Sequence, residues 1–319
     1  MNKNILIVGA GQLGRRYIEG LYKITMPLNI YVLEKSKSVQ NLVDELQSKL
    51  TKENKAHTVY LINNLLLNIN EIDLVIISTT ANVRYSIISK INIVFNVKNW
   101  IIEKVLAQNN NELLKLSNLI KFQKNCWVNT PRRIMPWYKK IKSKIGNVEK
   151  LNVTVTGGNW GLACNSIHFI DLLEWITGEN VISINTRNLD KIWIKSKRIG
   201  FYEITGKLIV NFSKGSVLNL KCSKNNDNPI VIKLKDKNYT WLINESKGIA
   251  IRSDNYIING DLVYQSKLTP KLVNNILLNK KIELTNLFES INQHSQFLSQ
   301  LLLHWNKYMP QKKYKLPIT

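Results

Sequence analysis

The sequence predicts an α/β protein in two parts: a doubly wound parallel sheet over residues 1–128, then an α+β part with a mainly antiparallel sheet over residues 129–319. Three observations carry this expectation. Short β-branched runs alternate with helical stretches through the first 125 residues, the order of a parallel sheet covered by helices. From about residue 129 the runs instead alternate apolar and polar residues and are joined by short polar links. One long apolar helix, around His168, interrupts that second pattern. A chain of 319 residues suits two medium domains with a proper core.

The first strand, "NILIVG" (4–9), reads as buried on both faces. It runs into "GAGQLG", so Gly9, Gly11 and Gly14 match G-x-G-x-x-G, the fingerprint of a Rossmann domain, and "RRYIEGLYKI" continues at helical spacing. Gly9 permits a tight turn, Gly11 lets the backbone approach a pyrophosphate, and Gly14 lets helix and strand pack closely. The backbone through Gln12 and Leu13 then presents the free N–H groups of a helix N-terminus to that anion. A second strand, "IYVLE" (30–34), ends in Glu34, near the offset of about 20 residues at which an acid accepts hydrogen bonds from the adenosine ribose. Glu34 repels a 2′-phosphate and so favours NAD. Lys35, Ser36 and Lys37 act the other way and leave NADP open.

Strands follow at "DLVIIST" (73–79) and "NWIIEK" (99–104), with "NVRYSIISKI" helical between them. "NNNELLKLSNLIKF" opens with Asn residues able to cap a helix and has Glu112 in its first turn. In a doubly wound sheet the ligand lies at the strand C-termini, where Ser78, Thr79, Glu103 and Lys104 fall. In the second part, strands are expected at 149–157, 203–212, 216–223, 229–235 and 239–245, with hairpin turns at 213–215 and 236–238. A helix over 163–176 is closed by Gly178, and an amphipathic helix spans 284–305. On the former, Cys164, His168, Asp171 and Trp175 share one face. From the residues alone His168 has three readings: a packed core histidine, a metal ligand, or an acid/base. Cys164, His168 and Asp171 match no known ligand spacing, so no metal site is expected.

Composition bounds the function. The net charge of +23, from 45 Lys and Arg against 22 Asp and Glu, would attract nucleic acid, an anionic membrane or anionic metabolites. The excess is mainly lysine alongside abundant Asn and Ile, which A/T-rich coding sequence produces in any fold. The densest basic stretches, 138–146 and 307–315, carry no zinc-finger or RNA-binding signature, so no nucleic-acid partner is expected. Cys126, Cys164 and Cys222 form no CxxC and fit a reducing compartment. No signal peptide and no apolar run near the ~20 residues of a membrane span is found, so the expectation is a cytoplasmic protein with no membrane partner.

"GAGQLGRRY", "STTANVR", "EKVLA" and "GGNWGLACNSIHFID" occur in the order and approximate spacing of the Gfo/Idh/MocA family, named for glucose–fructose oxidoreductase and inositol dehydrogenase. The resemblance spans the chain, with "FSKGS" similar to the family's sheet hairpin and "LPIT" to its tail. It implies a Rossmann domain followed by an open, mainly antiparallel sheet domain. It also implies use of NAD or NADP to oxidise or reduce sugars, cyclitols and their derivatives, and a homo-oligomer, dimer or tetramer. Residue by residue, Lys104 matches the lysine of the family's E-K-P, and His168 the histidine of D-x-x-x-H-x-x-D, with Asp171 its following acid. Val105 stands where the family has proline. Cys164 stands where it has the first acid, and Asn165 beside it offers a polar contact. "PRRIMPWY" is similar to the element that opens the second domain and places Arg133 near the substrate.

The resemblance thus implies His168 as proton acceptor or donor and Lys104 as the group that stabilises alkoxide charge, with Arg133, Asn165 and Asp171 binding substrate. The basic surface and Arg132–Arg133 suggest an anionic or nucleotide-linked sugar of polysaccharide biosynthesis. Two alternatives stand beside this. The missing acid and proline favour a non-catalytic dinucleotide-binding regulator or scaffold, and the net charge favours a nucleic-acid binder.

Overall fold

Runs of buried aliphatic residues build a parallel sheet in the computed structural model, which describes residues 2–34, 39–53, 56–120, 125–147, 149–224 and 226–319. Its strands are β1 (Lys3–Val8), β2 (Leu28–Leu33), β3 (Thr58–Ile62), β4 (Leu74–Ile77), β5 (Trp100–Ile102) and β6 (Cys126–Val128). They lie in the order β3-β2-β1-β4-β5-β6, all parallel, and a two-residue strand, Thr285–Asn286, adds antiparallel beside β6. Ile5, Leu6 and Ile7 are each 0% exposed, which is why this strand shows no polar alternation. The strand order reverses between β1 and β4, so the loops that leave these two strands flank the switch point where doubly wound sheets bind ligands.

The α-helices, in chain order, are α1 (Gln12–Leu21), α2 (Gln40–Lys52), α3 (Ala81–Val94), α4 (Asn110–Ile120), α5 (Pro136–Ile145), α6 (Leu162–Thr177), α7 (Gln265–Leu277) and α8 (Leu287–Tyr308). The expected start of α4 is found in atomic detail: Asn109 Oδ1 accepts from Glu112 N at 2.9 Å, while Glu112 Oε2 accepts from Gln108 N at 3.1 Å. Two compact units divide the chain. The first comprises Met1–Glu103, Lys115–Asn129 and Val263–Leu287, and the second Lys104–Leu114, Thr130–Leu262 and Phe288–Thr319. The return of α7 to the first unit, where it packs on α1, has no signature in the local sequence.

The second unit holds an eight-stranded sheet. Its strands are β7 (Asn152–Gly158), β8 (Val181–Leu189), β9 (Gly206–Phe212), β10 (Val217–Ser223), β11 (Val231–Lys235), β12 (Thr240–Asn244), β13 (Ile249–Arg252) and β14 (Ile257–Asn259), in the order β8-β9-β10-β7-β11-β12-β13-β14. Every neighbouring pair is antiparallel except β10 and β7. Both expected hairpins are present: Phe212 N donates to Ser216 O at 3.0 Å, and Asp236 N to Tyr239 O at 3.0 Å. In β11 the alternation is plain, with Ile232 and Leu234 buried and Lys233 and Lys235 exposed. Phe169, Leu172 and Leu173 of α6 share one apolar lining with Val153, Leu218 and Ile232 of the sheet. That contact lays α6 across one sheet face. Gly178, at φ +67°, closes α6 as its sequence position predicts.

Among the described residues no helix is long and apolar enough to cross a membrane. Within the first unit, a Cβ on Gly20 of α1 would lie 2.5 Å from the Thr269 Cβ of α7, so glycine sets the spacing of these helices. Gly20→Val is expected to destabilise the fold by about 1–3 kcal/mol through overpacking, measured by urea denaturation. A midpoint at or above that of the parent protein would show that the two helices separate without cost.

Candidate active site

In the first unit, the glycine loop leaves β1 at the C-terminal edge of the parallel sheet. Gly9 sits at φ +89°, a conformation open to glycine. A Cβ on Gly14 would come within 2.0 Å of Gly9 O, so that glycine is required for α1 to start so close to the strand. Gly11 and Gln12 are exposed and Leu13 half-buried, and no side chain caps the helix. Its first N–H groups are therefore left to a ligand. Glu34 Oε2 accepts from Ala10 N at 2.8 Å and ties the end of β2 to the loop. Ser78 Oγ donates to Gly9 O at 2.6 Å, while Thr79 Oγ1 is buried with no hydrogen-bond partner. This set, a glycine cradle, open helix N–H groups, an acid and an orphaned hydroxyl, fits a dinucleotide. Lys35, Ser36 and Lys37 lie outside the described residues.

Glu103 shares that sheet edge but is only 4% exposed, and it accepts hydrogen bonds from Tyr17 Oη at 2.7 Å and Asn129 Nδ2 at 2.6 Å. Asn129 also donates to Gln265 Oε1 at 2.9 Å, which links the sheet to α7. The carboxylate is thus held within the fold of the first unit. Nothing in its local sequence distinguishes that role from one at the surface.

In the second unit, Lys104 reaches the first turn of α6. Its Nζ donates to Asn165 Oδ1 at 3.0 Å and to Cys164 O at 3.2 Å, with Cys164 Sγ at 3.6 Å. The Lys104–Val105 peptide is cis. Asn165 Nδ2 is itself fixed by Trp160 O at 2.7 Å. His168 lies one turn further along α6, with Nδ1 buried and unbonded. Burial, followed by the charges of Lys104, Arg132 and His294, holds its imidazole well below the ordinary histidine value. Lys104, Asn165 and His168 therefore form one cluster, in which the histidine is neutral and the lysine supplies the charge. Among the described residues no group of three or more His, Cys, Asp or Glu side chains is placed to share a metal ion, and Cys126, Cys164 and Cys222 are free thiols.

The two arginines are committed elsewhere in this unit. Arg132 Nε and Nη2 grip Glu245 at 2.7 and 2.8 Å, the Tyr138 hydroxyl bonds the same carboxylate, and the Arg132 guanidinium lies 4.5 Å over the Phe169 ring. Burial alone would raise the Glu245 carboxyl, but the charge and bonds of Arg132 outweigh it and hold Glu245 below its ordinary value. Arg133 grips Asp171 through Nε at 2.9 Å and Nη2 at 2.6 Å, with Glu289 at 3.3 Å from Nη1. Asp171 is 0% exposed and also accepts from Gln293 Nε2 at 3.1 Å. The suggestion of an anionic substrate therefore loses the support it drew from Arg132–Arg133. Glu245, Gln293 and Glu203 carry no sequence signal: the first two join the arginine–carboxylate contacts and Glu203 the first turn of α6, each from a distant element.

Two measurements test this geometry. Because His168 binds its proton more weakly folded than unfolded, stability is expected to fall as pH drops below about 6.5. In His168→Gln this acid-side loss, read from denaturant melts, is expected to be smaller; His304, also lowered by burial, retains its own share. An unchanged pH dependence would contradict the neutral assignment. Removing Glu245 alone, as Glu245→Leu, is expected to cost about 3–5 kcal/mol by stranding the buried Arg132 charge, and the double variant with Arg132→Met less. Strict additivity of the two single losses would exclude a coupled pair.

No family model and no curated protein matches the chain. Solved structures do. UDP-N-acetylglucosamine 3-dehydrogenase from Acidithiobacillus ferrooxidans aligns over 94% of this chain and 96% of its own, with TM-score 0.71 and 12% identity. For myo-inositol 2-dehydrogenase from Lactobacillus plantarum the coverage is 96% and 98%, TM-score 0.66 and identity 17%. For scyllo-inositol dehydrogenase from Lactobacillus casei, solved with bound NAD(H) and scyllo-inositol, it is 94% and 96%, TM-score 0.65 and identity 15%. At these identities the likeness is one of fold. The two-part fold implied by the resemblance to Gfo/Idh/MocA proteins is the fold of this chain.

Proposed function

We propose that the protein is an NAD(P)-dependent oxidoreductase that transfers a hydride between nicotinamide and the hydroxyl- or keto-bearing carbon of a sugar or sugar derivative. The observation that carries this reading is the placement of Lys104 and Asn165 beside His168 on α6, in a chain whose other unit carries a dinucleotide cradle. Residues 1–128 are assigned to cofactor binding and 129–319 to substrate binding, with Lys104 contributing to the chemistry beside α6. The resemblance implies that the protein works as a homo-oligomer.

Backbone N–H groups at Gly11, Gln12 and Leu13 would hold the pyrophosphate, with Gly9 and Gly14 shaping the turn beneath it, and Glu34 would take the ribose hydroxyls, which favours NAD. Ser78 and Thr79 border the same edge, with Glu103 bracing it from within. When bound, the dinucleotide accepts or supplies the hydride. In the direction of oxidation, neutral His168 takes the hydroxyl proton on its imidazole. Lys104 donates a hydrogen bond to the same substrate oxygen and stabilises its growing negative charge. Asn165 fixes the lysine and offers its amide to a neighbouring hydroxyl. In reverse, His168 returns the proton to the carbonyl oxygen.

The test pairs NAD binding, by calorimetry, with nicotinamide absorbance over a panel of inositols, hexoses and nucleotide-linked sugars. Turnover is expected, and Lys104→Ala and His168→Ala are each expected to lower kcat/KM by about 10²-fold or more without loss of NAD binding. Binding without turnover across the panel would replace this reading with that of a dinucleotide-binding regulator. Unaltered turnover in both variants would overturn the mechanism.

A further inference from the structure

Carboxylates of the second unit divide into those gripped by arginine and those that are not. Asp171 and Glu245 are gripped by Arg133 and Arg132, and Glu289 also bonds Arg133. Glu203, from the two-residue strand Tyr202–Glu203, has no cation in hydrogen-bond contact among the described residues. It sits instead at the start of α6. Its Oε2 accepts from Ala163 N at 2.8 Å, and the backbone N–H and thiol of Cys164 lie near enough to favour its charged form. A Cβ on Gly161 would lie 3.2 Å from Glu203 Oε1 and 3.1 Å from Asn165 Nδ2, so glycine there lets the acid and the amide approach the same turn.

Lys104 bonds the other side of that turn and, among the described residues, only neutral acceptors: the Cys164 carbonyl, the Cys164 sulfur and the Asn165 amide oxygen. Lys104 and Glu203 bond adjacent residues of this turn, Cys164 and Ala163, which brings the lysine near enough to favour the charged form of the carboxyl. A cation with neutral partners and an acid without a cation thus lie on either side of Cys164. Lys104 also shares its surroundings with the charge of Arg132 and with His168. In such a cluster a counter-charge keeps a second cation from being expelled.

We propose that Glu203 is a positioning carboxylate for Lys104: it holds the Ala163–Cys164 turn of α6 against the lysine and supplies the counter-charge that the lysine's own hydrogen bonds do not. The acid thereby acts from a distant strand on the position where Cys164 replaces a carboxylate in the sequence motif. The proposal rests on the oxidoreductase reading for its purpose, the holding of Lys104 for a substrate oxygen. Its physical content is a charge coupling that is measurable without substrate.

The groups facing Glu203 are Lys104, the Cys164 thiol and, more weakly, the Cys222 thiol. Burial lifts the Glu203 carboxyl above its ordinary value, and the Ala163 bond, the nearby Cys164 N–H and thiol and the Lys104 charge act in the opposite direction. The experiment is a pH titration of the full-length protein carrying ¹³C-carboxyl glutamate, with the Glu203 signal assigned from its loss in Glu203→Gln. Lys104→Met removes the cation and is expected to raise the Glu203 midpoint by about one pH unit. Lys104→Arg keeps the charge and is expected to leave it near the parent value. Where the methionine variant fails to fold, Lys104→Gln, which retains a donor for the Cys164 carbonyl, takes its place.

A midpoint unmoved by loss of the Lys104 charge would overturn the proposal and leave Glu203 as a helix cap alone. That outcome is independent of the substrate panel. Absence of turnover would remove the oxidoreductase reading and leave the coupling in place, whereas an unmoved midpoint would remove the coupling whatever the panel shows.

Discussion

The bond between the Lys104 ammonium and the first turn of α6 organises the polar half of the second unit. It sets a fixed positive charge beside an imidazole enclosed on its Nδ1 side. The charge and the burial act in the same direction, so His168 is held neutral by its surroundings rather than by a hydrogen-bonded partner. A neutral histidine next to a cationic lysine separates two roles that a single polar group would combine: one accepts a proton, and the other stabilises negative charge. The proposed chemistry needs this division, and it depends on one interaction between residues 60 positions apart.

Around this bond the unit invests its buried charges in positioning. Arg132 and Arg133 are adjacent in the 3₁₀ turn Pro131–Ile134, yet they grip carboxylates on different elements, Glu245 after β12 and Asp171 on α6. Buried ion pairs contribute little net stability because both ions lose water. Their geometry is nonetheless demanding, since each guanidinium fork accepts one alignment of its carboxylate. The two pairs therefore fix where α6 and the end of β12 stand relative to the turn. In the first unit Glu103, Tyr17, Asn129 and Gln265 form a comparable network that binds strand ends and α7 together.

Much of the fold was legible because its signals are local. β1, β2, β4 and β5 are runs of β-branched residues bounded by polar ones, and the hairpins at 213–215 and 236–238 follow from short polar links. Gly178 and Asn109 mark helix ends through their own backbone or side-chain chemistry. The Gly9–Gly14 loop was legible for the same reason, since each glycine answers a contact within a few residues or with the adjacent strand. α2, α5, β3 and β8 are not among the expected elements, although α5 buries Trp137, Tyr138, Ile141 and Ile145 at helical spacing and β3 is the apolar run TVYLI; in β8 exposed residues interrupt the alternation. The return of α7 to the first unit has no local signal; it brings Thr269 against Gly20, a contact between residues far apart in the chain.

The site divides along the same line. By itself the sequence determined the parallel sheet with its glycine loop and terminal acid, the antiparallel sheet, and a helix carrying His168, since each depends on periodicity or on backbone conformations that few residues adopt. It also marked Lys104 and His168 as candidates, through the order of motifs. Only the tertiary structure decided which charges meet: that Asp171 and Glu245 are taken by arginines, that Lys104 bonds Asn165 and the Cys164 carbonyl, and that Glu203 stands across the same turn. The physical reason is the range of the forces involved. Backbone preference and hydrophobic period act over a few residues. The pairing of buried charges is settled by which distant elements packing brings within a few ångströms.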